Sequence, residues 1–261
     1  VINLVGIDVS GAAKIHKITT LMEEALENAE IINVITPSFA HEIFFEEMIP
    51  FLQDEQIVIV WAGDFGSIHL VNLLKEKCPE KKVIVAETNT LPYGARITPE
   101  GWIDYHVFAP KVLISSLPAT ETEKVLNKAK GIWPSLVAAD NVIAAALSNP
   151  NPLCHPPGAL LNTGRIQYSK GEFYMYKEGI TEAVARVIKA VYEETLALAE
   201  ALDSEIVHYE NHEFMTPASI MSIALQAPFD TLGIMATRVK GPRTIEDRYI
   251  TEDLPYGLVP M

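Results

Sequence analysis

A single histidine lies in a stretch unusually rich in proline. The residues from Ser148 to Asn162 read SNPNPLCHPPGALLN and place His155 directly before Pro156 and Pro157. A residue that precedes proline is biased toward extended backbone, so the sequence predicts that the imidazole projects from a stiff, non-helical loop. Histidine is the side chain best suited to exchanging protons near neutral pH. A structural or solvated histidine is the alternative, and a carboxylate that orients the ring would favour catalysis.

The charged segment Lys240 to Pro260, KGPRTIEDRYITEDLPYGLVP, contains such carboxylates. Prolines and glycines bound it, so we expect a non-helical tail. Its last part is apolar enough to be buried, which would force the neighbouring charges into pairs. The spacing of Arg248 and Asp253 suits one guanidinium and one carboxylate that face the same pocket. A solvated charged surface is the alternative.

Four short runs rich in valine and isoleucine predict the strands that position these residues. Strands buried on both faces of a parallel sheet have this uniformly apolar pattern. Helical patterns precede or follow the runs, which indicates βαβ units and a Rossmann-like, doubly wound parallel sheet. The runs are Ile31 to Thr36, Gln56 to Gly63, Lys81 to Thr88 and Lys111 to Pro118.

The pattern changes after about Gly131, where long stretches with helical periodicity begin. We therefore predict an α/β domain over residues 1–132 and a mainly helical domain over residues 133–261. The helical stretches are residues 134–148, Thr181 to Asp203 and residues 217–239.

Small and turn-forming residues follow three of the predicted strands, at the sheet edge where open α/β sheets bind ligands. The segments are TPSFAH, WAGDFGS and ETNTLPYGAR. Ordinary turn chemistry is the alternative for the first two, and hydrogen bonding to the loop backbone is the alternative for the third. The sequence contains neither G-x-G-x-x-G nor a P-loop motif, which are the usual signatures of phosphate binding.

The composition narrows the choice of partners. The formal net charge of −14 argues against nucleic acid and anionic membranes as partners. No apolar run is long enough to cross a bilayer, and two distant cysteines predict neither a disulfide framework nor a metal site. We expect a cytoplasmic protein.

Five segments together resemble the octopine/nopaline (opine) dehydrogenase family. They are NPNPLCHPPGALLNTGRI, GEFYMYKEGITEAVARVIKA, RYITEDLPYGLVP, SSLPATETEKVL and ETNTLPYGAR, and they occur along nearly the whole chain. The resemblance implies a Rossmann domain followed by a helical domain like the C-terminal domain of 6-phosphogluconate dehydrogenase. It also implies an oxidoreductase that uses NAD or NADP to join an amino acid to a 2-oxo acid such as pyruvate.

The resemblance assigns roles to individual residues. His155 corresponds to the catalytic histidine, Asp253 to the aspartate that orients it, and Arg248 to the arginine that binds the oxo-acid carboxylate. Ala95 stands where many members have cysteine. The resemblance also places Thr90 near the substrate and the nicotinamide, and Asn151 is a further expected substrate-binding residue. The segments after the strands supply the expected cofactor-binding residues Pro37, Ser38, Gly63 and Asp64.

The same resemblance predicts family segments beyond both ends of these 261 residues, including the first, glycine-rich βαβ unit. A related reductase of 2-keto or 3-hydroxy acids is an alternative function, and a catalytically silent fragment is another. A homodimer is expected. The identity of the amino acid and the choice between NAD and NADP stay open at this point.

Overall fold

The computed structural model describes residues 1–6, 9–98, 101–210, 214 and 240–261. In these ranges the strands are β1 Ile2–Val5, β2 Ser10–Ala13, β3 Ile31–Val34, β4 Ile57–Val60, β5 Ile84–Thr88, β6 Tyr93–Ile97, β7 Trp102–Phe108, β8 Val112–Leu117 and β9 Leu136–Ala138.

The α-helices in the same ranges are α1 Met22–Leu26, α2 His41–Met48, α3 Gly66–Lys77, α4 Thr122–Ala129, α5 Val142–Leu147, α6 Pro150–Leu161, α7 Thr163–Ser169, α8 Glu182–Ala201 and α9 Arg248–Thr251. Short 3-10 turns cover Ser38–Ala40, Ile49–Phe51 and Ala119–Glu121, and π-helical turns cover Met175–Gly179 and Asp253–Leu258.

The larger sheet has the strand order β3-β4-β5-β8-β9 and contains the four strands predicted from the apolar runs. Strands β3, β4 and β5 are parallel, which confirms the Rossmann-like α/β class. Strand β8, however, is antiparallel to β5, so the expectation of an all-parallel sheet is wrong at this position. The cause is the connection: the chain between β5 and β8 forms strands β6 and β7, and a parallel partner needs a crossover, usually a helix.

A second, smaller sheet of order β2-β1-β7-β6 was not predicted from the sequence. Strands β6 and β7 form its antiparallel hairpin, and β7 also pairs in parallel with β1. Hairpin β6–β7 is inserted between β5 and β8, and it carries Arg96 and Ile97 to the cleft described below.

The mainly helical part departs from expectation in more than one place, since strand β9 lies within the stretch predicted as helical over residues 134–148. His155 lies inside α6 and not in a loop, although Pro156 and Pro157 follow it in the same helix. Most of α6 is buried against α8, α9 and the π-helical turn Asp253–Leu258. An interior proline costs a helix about 3 kcal/mol, and burial of so many side chains outweighs that cost here.

The C-terminal tail is also more regular than predicted. Arg248 begins α9 and Asp253 begins the π-helical turn, so the expectation of a non-helical tail is wrong for these residues. Packing against α6 supplies the burial that the tail's own sequence does not reveal. The helix predicted over residues 217–239 lies outside the described residues.

One buried cluster holds the two parts of the chain together. It includes Ile57, Ile59 and Ile114 from the sheet, and Leu153, Ile188 and other residues from the helices. The domain boundary at 132/133 stays a prediction. Within the part of the chain that the structure describes, no helix has the length and apolarity needed to span a membrane.

Candidate active site

The structure brings together the two residues expected to exchange protons. His155 Nδ1 lies 3.0 Å from Asp253 Oδ2, and the two residues are 98 positions apart in the chain. His155 is 9% exposed and Asp253 is 6% exposed. An Nδ1–H that donates to a carboxylate fixes the tautomer and the orientation of the ring, so Nε2 is the nitrogen that would exchange protons.

Two tyrosines complete the surroundings of the imidazole. Tyr176 Oη lies 2.8 Å from His155 Nε2, and Tyr249 Oη lies 3.2 Å from Tyr176 Oη. The Tyr249 ring stacks on the imidazole at 4.1 Å between centroids, with 16° between the planes. Burial is the main cause that raises the pKa of both phenols above the ordinary value, so both hydroxyl groups stay protonated.

Arg248, the expected carboxylate-binding residue, is held by Glu252. Its Nε donates a charge-assisted hydrogen bond to Glu252 Oε2, while the rest of the guanidinium is largely exposed. Glu252 is buried and its other oxygen accepts a hydrogen bond from the backbone N–H of Ser38 at 2.8 Å. The pair therefore ties α9 to the sheet edge and leaves the terminal nitrogens of Arg248 facing outward.

Asp64 lies at the same edge, on the loop that follows β4. It accepts hydrogen bonds from Ser38 Oγ at 3.0 Å and from Asn149 Nδ2 at 2.6 Å. Burial, and then the nearby Asp253 carboxylate, raises the pKa of Asp64 to about 7. Ser38 itself is buried, and its hydroxyl group contacts the carboxylates of Asp64 and Glu252.

Glu87 organises the loop that follows β4. Its fully buried carboxylate accepts hydrogen bonds from the N–H groups of Phe65 and Ser67, both at 2.9 Å. Ala62, Asp64 and Phe65 have positive φ angles, which non-glycine residues rarely adopt. A Cβ on Gly63 would lie 2.7 Å from the Glu87 side chain, so the space over this glycine is already filled. Gly63 as a cofactor contact stays a prediction.

The polar residues after β5 serve the loop more than the cleft. Thr88 Oγ1 accepts a hydrogen bond from Ala62 N–H and donates one to the Thr90 carbonyl, both at 3.0 Å. Asn89 Oδ1 accepts a hydrogen bond from Leu113 N–H at 2.9 Å. Thr90 is buried and is not among the described residues that line the cleft, so its substrate role stays a prediction.

A cleft of about 780 Å³ lies between the sheet edge and the helical part. Its volume is in the range of small-molecule sites, and polar and apolar groups both line it. Of the expected site residues, the ones that line it are His155, Asp253, Arg248, Asn151, Pro37 and Asp64.

Sequence reasoning did not single out Tyr176, Tyr249, Glu252 or Arg96, all of which line this cleft. All four lie within the motifs that contain or follow the expected residues: Tyr176 in GEFYMYKEG, Tyr249 and Glu252 in RYITED, and Arg96 in ETNTLPYGAR. The i,i+4 spacing of Arg248 and Glu252 was a readable signal for an ion pair on one helical turn.

Known proteins match both the sequence and the fold. The family model described as "NAD/NADP octopine/nopaline dehydrogenase, alpha-helical domain" matches residues 138–261. An opine dehydrogenase of Arthrobacter sp. (strain 1C) is 28% identical over 262 residues, covering 98% of this chain and 70% of that enzyme.

Two solved structures have a similar fold. Octopine dehydrogenase with NADH and L-arginine superimposes with a TM-score of 0.70 at 18% identity, covering 99% of this chain and 71% of that one. Yersinopine dehydrogenase with NADP⁺ gives a TM-score of 0.63 at 15% identity, covering 98% of this chain and 66% of that one.

A Rossmann-like sheet faces a helical part across a cleft that contains a histidine–aspartate pair, and the octopine dehydrogenase structure has a similar fold. Residues 138–261 match the helical-domain model of the octopine/nopaline dehydrogenase family, and nearly the whole chain is similar to an opine dehydrogenase.

Proposed function

We propose that this protein is an NAD(P)H-dependent oxidoreductase that joins the amino group of an amino acid to a 2-oxo acid and reduces the resulting imine. The observation that supports this most directly is the buried His155–Asp253 pair, at 3.0 Å, inside the cleft. The reaction needs a group that both gives and takes protons, and an oriented imidazole supplies one.

The sheet edge fits the reacting end of a dinucleotide. Thr36, Pro37 and Asp64 line the cleft there, and the buried Thr36 hydroxyl oxygen has no hydrogen-bond partner among the described residues. A buried polar atom without a partner is expensive, so a ligand that bonds to it is favoured. When bound, NADH or NADPH supplies the hydride. No G-x-G-x-x-G motif for the pyrophosphate occurs in the 261 residues.

Arg248 binds the carboxylate of the oxo acid. Glu252 occupies Nε of the guanidinium and leaves the two terminal nitrogens available. Those nitrogens present two parallel N–H groups, which suit a carboxylate well. Glu252 thus fixes the direction from which the oxo acid approaches His155.

Arg96 binds the carboxylate of the amino acid. It lies on β6, lines the cleft, and its Nη1 donates to the adjacent carbonyl of Ala95 at 2.9 Å. Lys240 and Arg248 also line the cleft, and they pair with Glu172 and Glu252. A dicarboxylate product needs two cations, and Arg96 and Arg248 supply them.

His155 moves the protons of each step. The amine loses a proton as it adds to the carbonyl carbon, and the carbonyl oxygen gains protons before it leaves as water. His155, held at Nδ1 by Asp253, takes and returns these protons through Nε2. General acid–base catalysis of this kind contributes roughly 10²–10⁴-fold to a rate.

Substitution of the imidazole tests the proposal. His155→Ala should lower kcat by at least about 10²-fold and leave the affinity for NAD(P)H nearly unchanged, because Asp64 and Pro37 line the other wall. His16→Ala, at an exposed histidine, is the matched control and should keep the wild-type rate. If the His155→Ala protein keeps most of the wild-type rate, His155 is not the group that exchanges protons and the proposed mechanism is wrong.

The requirement for an amine separates the proposal from its alternatives. NADH and NADPH oxidation should depend on an amino acid as well as pyruvate. Oxidation with the oxo acid alone would indicate a simple reductase. Absence of any NADH or NADPH binding in a fluorescence titration would indicate the silent fragment.

A further inference from the structure

Both ring nitrogens of His155 are occupied, and neither contact is with solvent in the cleft. Nδ1 faces Asp253 and Nε2 faces the hydroxyl of Tyr176 at 2.8 Å. The Tyr249 ring covers one face of the imidazole. A substrate therefore meets a hydroxyl group before it meets the nitrogen that is to exchange protons with it.

The two hydroxyls form a line from the imidazole toward the cleft. Tyr176 is buried and lies next to Nε2, whereas Tyr249 is only half-buried and lies 3.2 Å further along. A neutral hydroxyl accepts one hydrogen bond while it donates another, so such a line can pass a proton with no charge left on either phenol.

We propose that Tyr176 and Tyr249 form a proton relay between His155 Nε2 and the substrate oxygen, with Tyr249 as the residue that contacts the substrate. The inference deepens the proposed function and rests on it. It makes Tyr249 a catalytic residue, and it makes Tyr176 the link between that residue and the histidine.

Every bond that breaks in the relay is matched by a bond that forms, in both directions of proton transfer. To protonate the carbonyl oxygen, the Nε2–H bond breaks as a new O–H bond forms on Tyr176. The original Tyr176 proton moves to Tyr249, and the original Tyr249 proton moves to the substrate oxygen. The imidazole ends neutral and both phenols end unchanged. The proton released by the attacking amine restores the imidazolium by the reverse path.

Removal of one hydroxyl at a time tests the relay, because phenylalanine keeps the ring packing. Tyr176→Phe and Tyr249→Phe should each lower kcat by about 10²-fold, with a much smaller change in the KM of the oxo acid. The double variant should fall no further than either single one, since a relay broken once is already broken. Tyr168→Phe, on a 91% exposed tyrosine, is the matched control.

A second readout separates a relay from simple support of the ring. The solvent deuterium isotope effect on kcat should differ between the wild type and each of the two variants, because fewer protons move in the variants. Wild-type kcat in either single variant, or losses that multiply in the double variant, would overturn the relay.

The result is distinguishable from a failure of the proposed function. If the wild type reduces an oxo acid without an amine, the proposed function is wrong, yet the same kcat ratios still test the relay. Without turnover, the ¹⁵N resonance of His155 Nε2 decides. It should move in Tyr176→Phe, move less in Tyr249→Phe, and stay in place in Tyr168→Phe. An Nε2 resonance unmoved by Tyr176→Phe would overturn the contact on which the relay depends.

Discussion

Helices α6 and α8 pack against each other, but only one of them follows the usual rules of helix formation. Helix α8 begins at a threonine cap, Thr181, and presents a regular apolar stripe to the core. Helix α6 contains two interior prolines and carries His155. Sequences tend to violate local rules at functional sites, because packing elsewhere supports the irregular element. The pair shows this division: α8 supplies stability and α6 supplies chemistry.

The largest stability effect should come from the core face of α8. Ile188→Ala removes a side chain with no exposed surface and should lower the free energy of unfolding by about 2–5 kcal/mol. Urea denaturation measures the loss. Since Ile188 does not line the cleft, kcat of the folded variant should stay near the wild-type value. A large loss of kcat without a loss of stability would contradict the division between the two helices.

The cap of α6 predicts a pH effect that the cap of α8 does not. Asn149 caps α6 and also donates to Asp64, whose pKa is raised to about 7. Because the pKa of Asp64 is higher in the folded state than in the unfolded state, the folded protein loses stability as the pH rises from about 4 to about 7. Asp64→Asn removes this loss, so it should be the more stable protein above pH 7, by at most about 4 kcal/mol.

Measurement of unfolding at several pH values tests this, with the difference between the two proteins as the readout. The difference isolates Asp64 because His41, whose pKa burial lowers to about 4, titrates in both proteins. The gap between the proteins should be smallest near pH 4 and should level off above pH 7. An equal gap at every pH would show that Asp64 keeps an ordinary pKa.

The contact between α6 and the π-helical turn Asp253–Leu258 predicts that one substitution should lower both stability and kcat. A Cβ on Gly257 would lie 2.4 Å from Pro152 Cγ, and a proline ring cannot rotate away. Gly257→Ala should therefore lower the free energy of unfolding by about 1–3 kcal/mol and reduce kcat, as the turn that carries Asp253 moves from His155. Gly164→Ala, with open space around it, is the matched control and should change neither quantity adversely.

The smallest effect should come from the cap of α8. Thr181 Oγ1 accepts a hydrogen bond from Val184 N–H at 3.4 Å, a long distance for such a bond. Thr181→Ala should lower the free energy of unfolding by about 0.5–1 kcal/mol, near the low end for a cap. Thermal unfolding measures it. No change in kcat is expected, and a change there would mean that α8 also positions the site.

Much of the fold was readable from local patterns. The apolar runs located β3, β4, β5 and β8, and the apolar stripe located α8 to within two residues at its C-terminal end. The strands and helix located in this way depend on neighbours in the chain, which is why a local reading finds them. The reversal of β8 was missed, although no helical pattern separates β5 from β8 in the sequence.

The surroundings of the imidazole were not readable in the same way. The rule for residues before proline failed at His155, because its helix is stabilised by burial against distant elements. Tyr176 contacts His155, and Glu252 contacts the Ser38 backbone, across distances in the sequence that no local spacing predicts. The pairing of His155 with Asp253 came from the family resemblance and not from the residues alone.

The hydrogen bond from the Ser38 N–H to Glu252 joins positions 214 residues apart. The entropy of closing so long a loop is lost before the contact can stabilise the protein. Chains with many contacts of this kind fold slowly. The turn that carries Glu252 must therefore dock on the loop that follows β3 before Arg248 faces its ligand. On refolding from denaturant, we expect the far-ultraviolet circular dichroism signal to return first and the binding of carboxylates to return last.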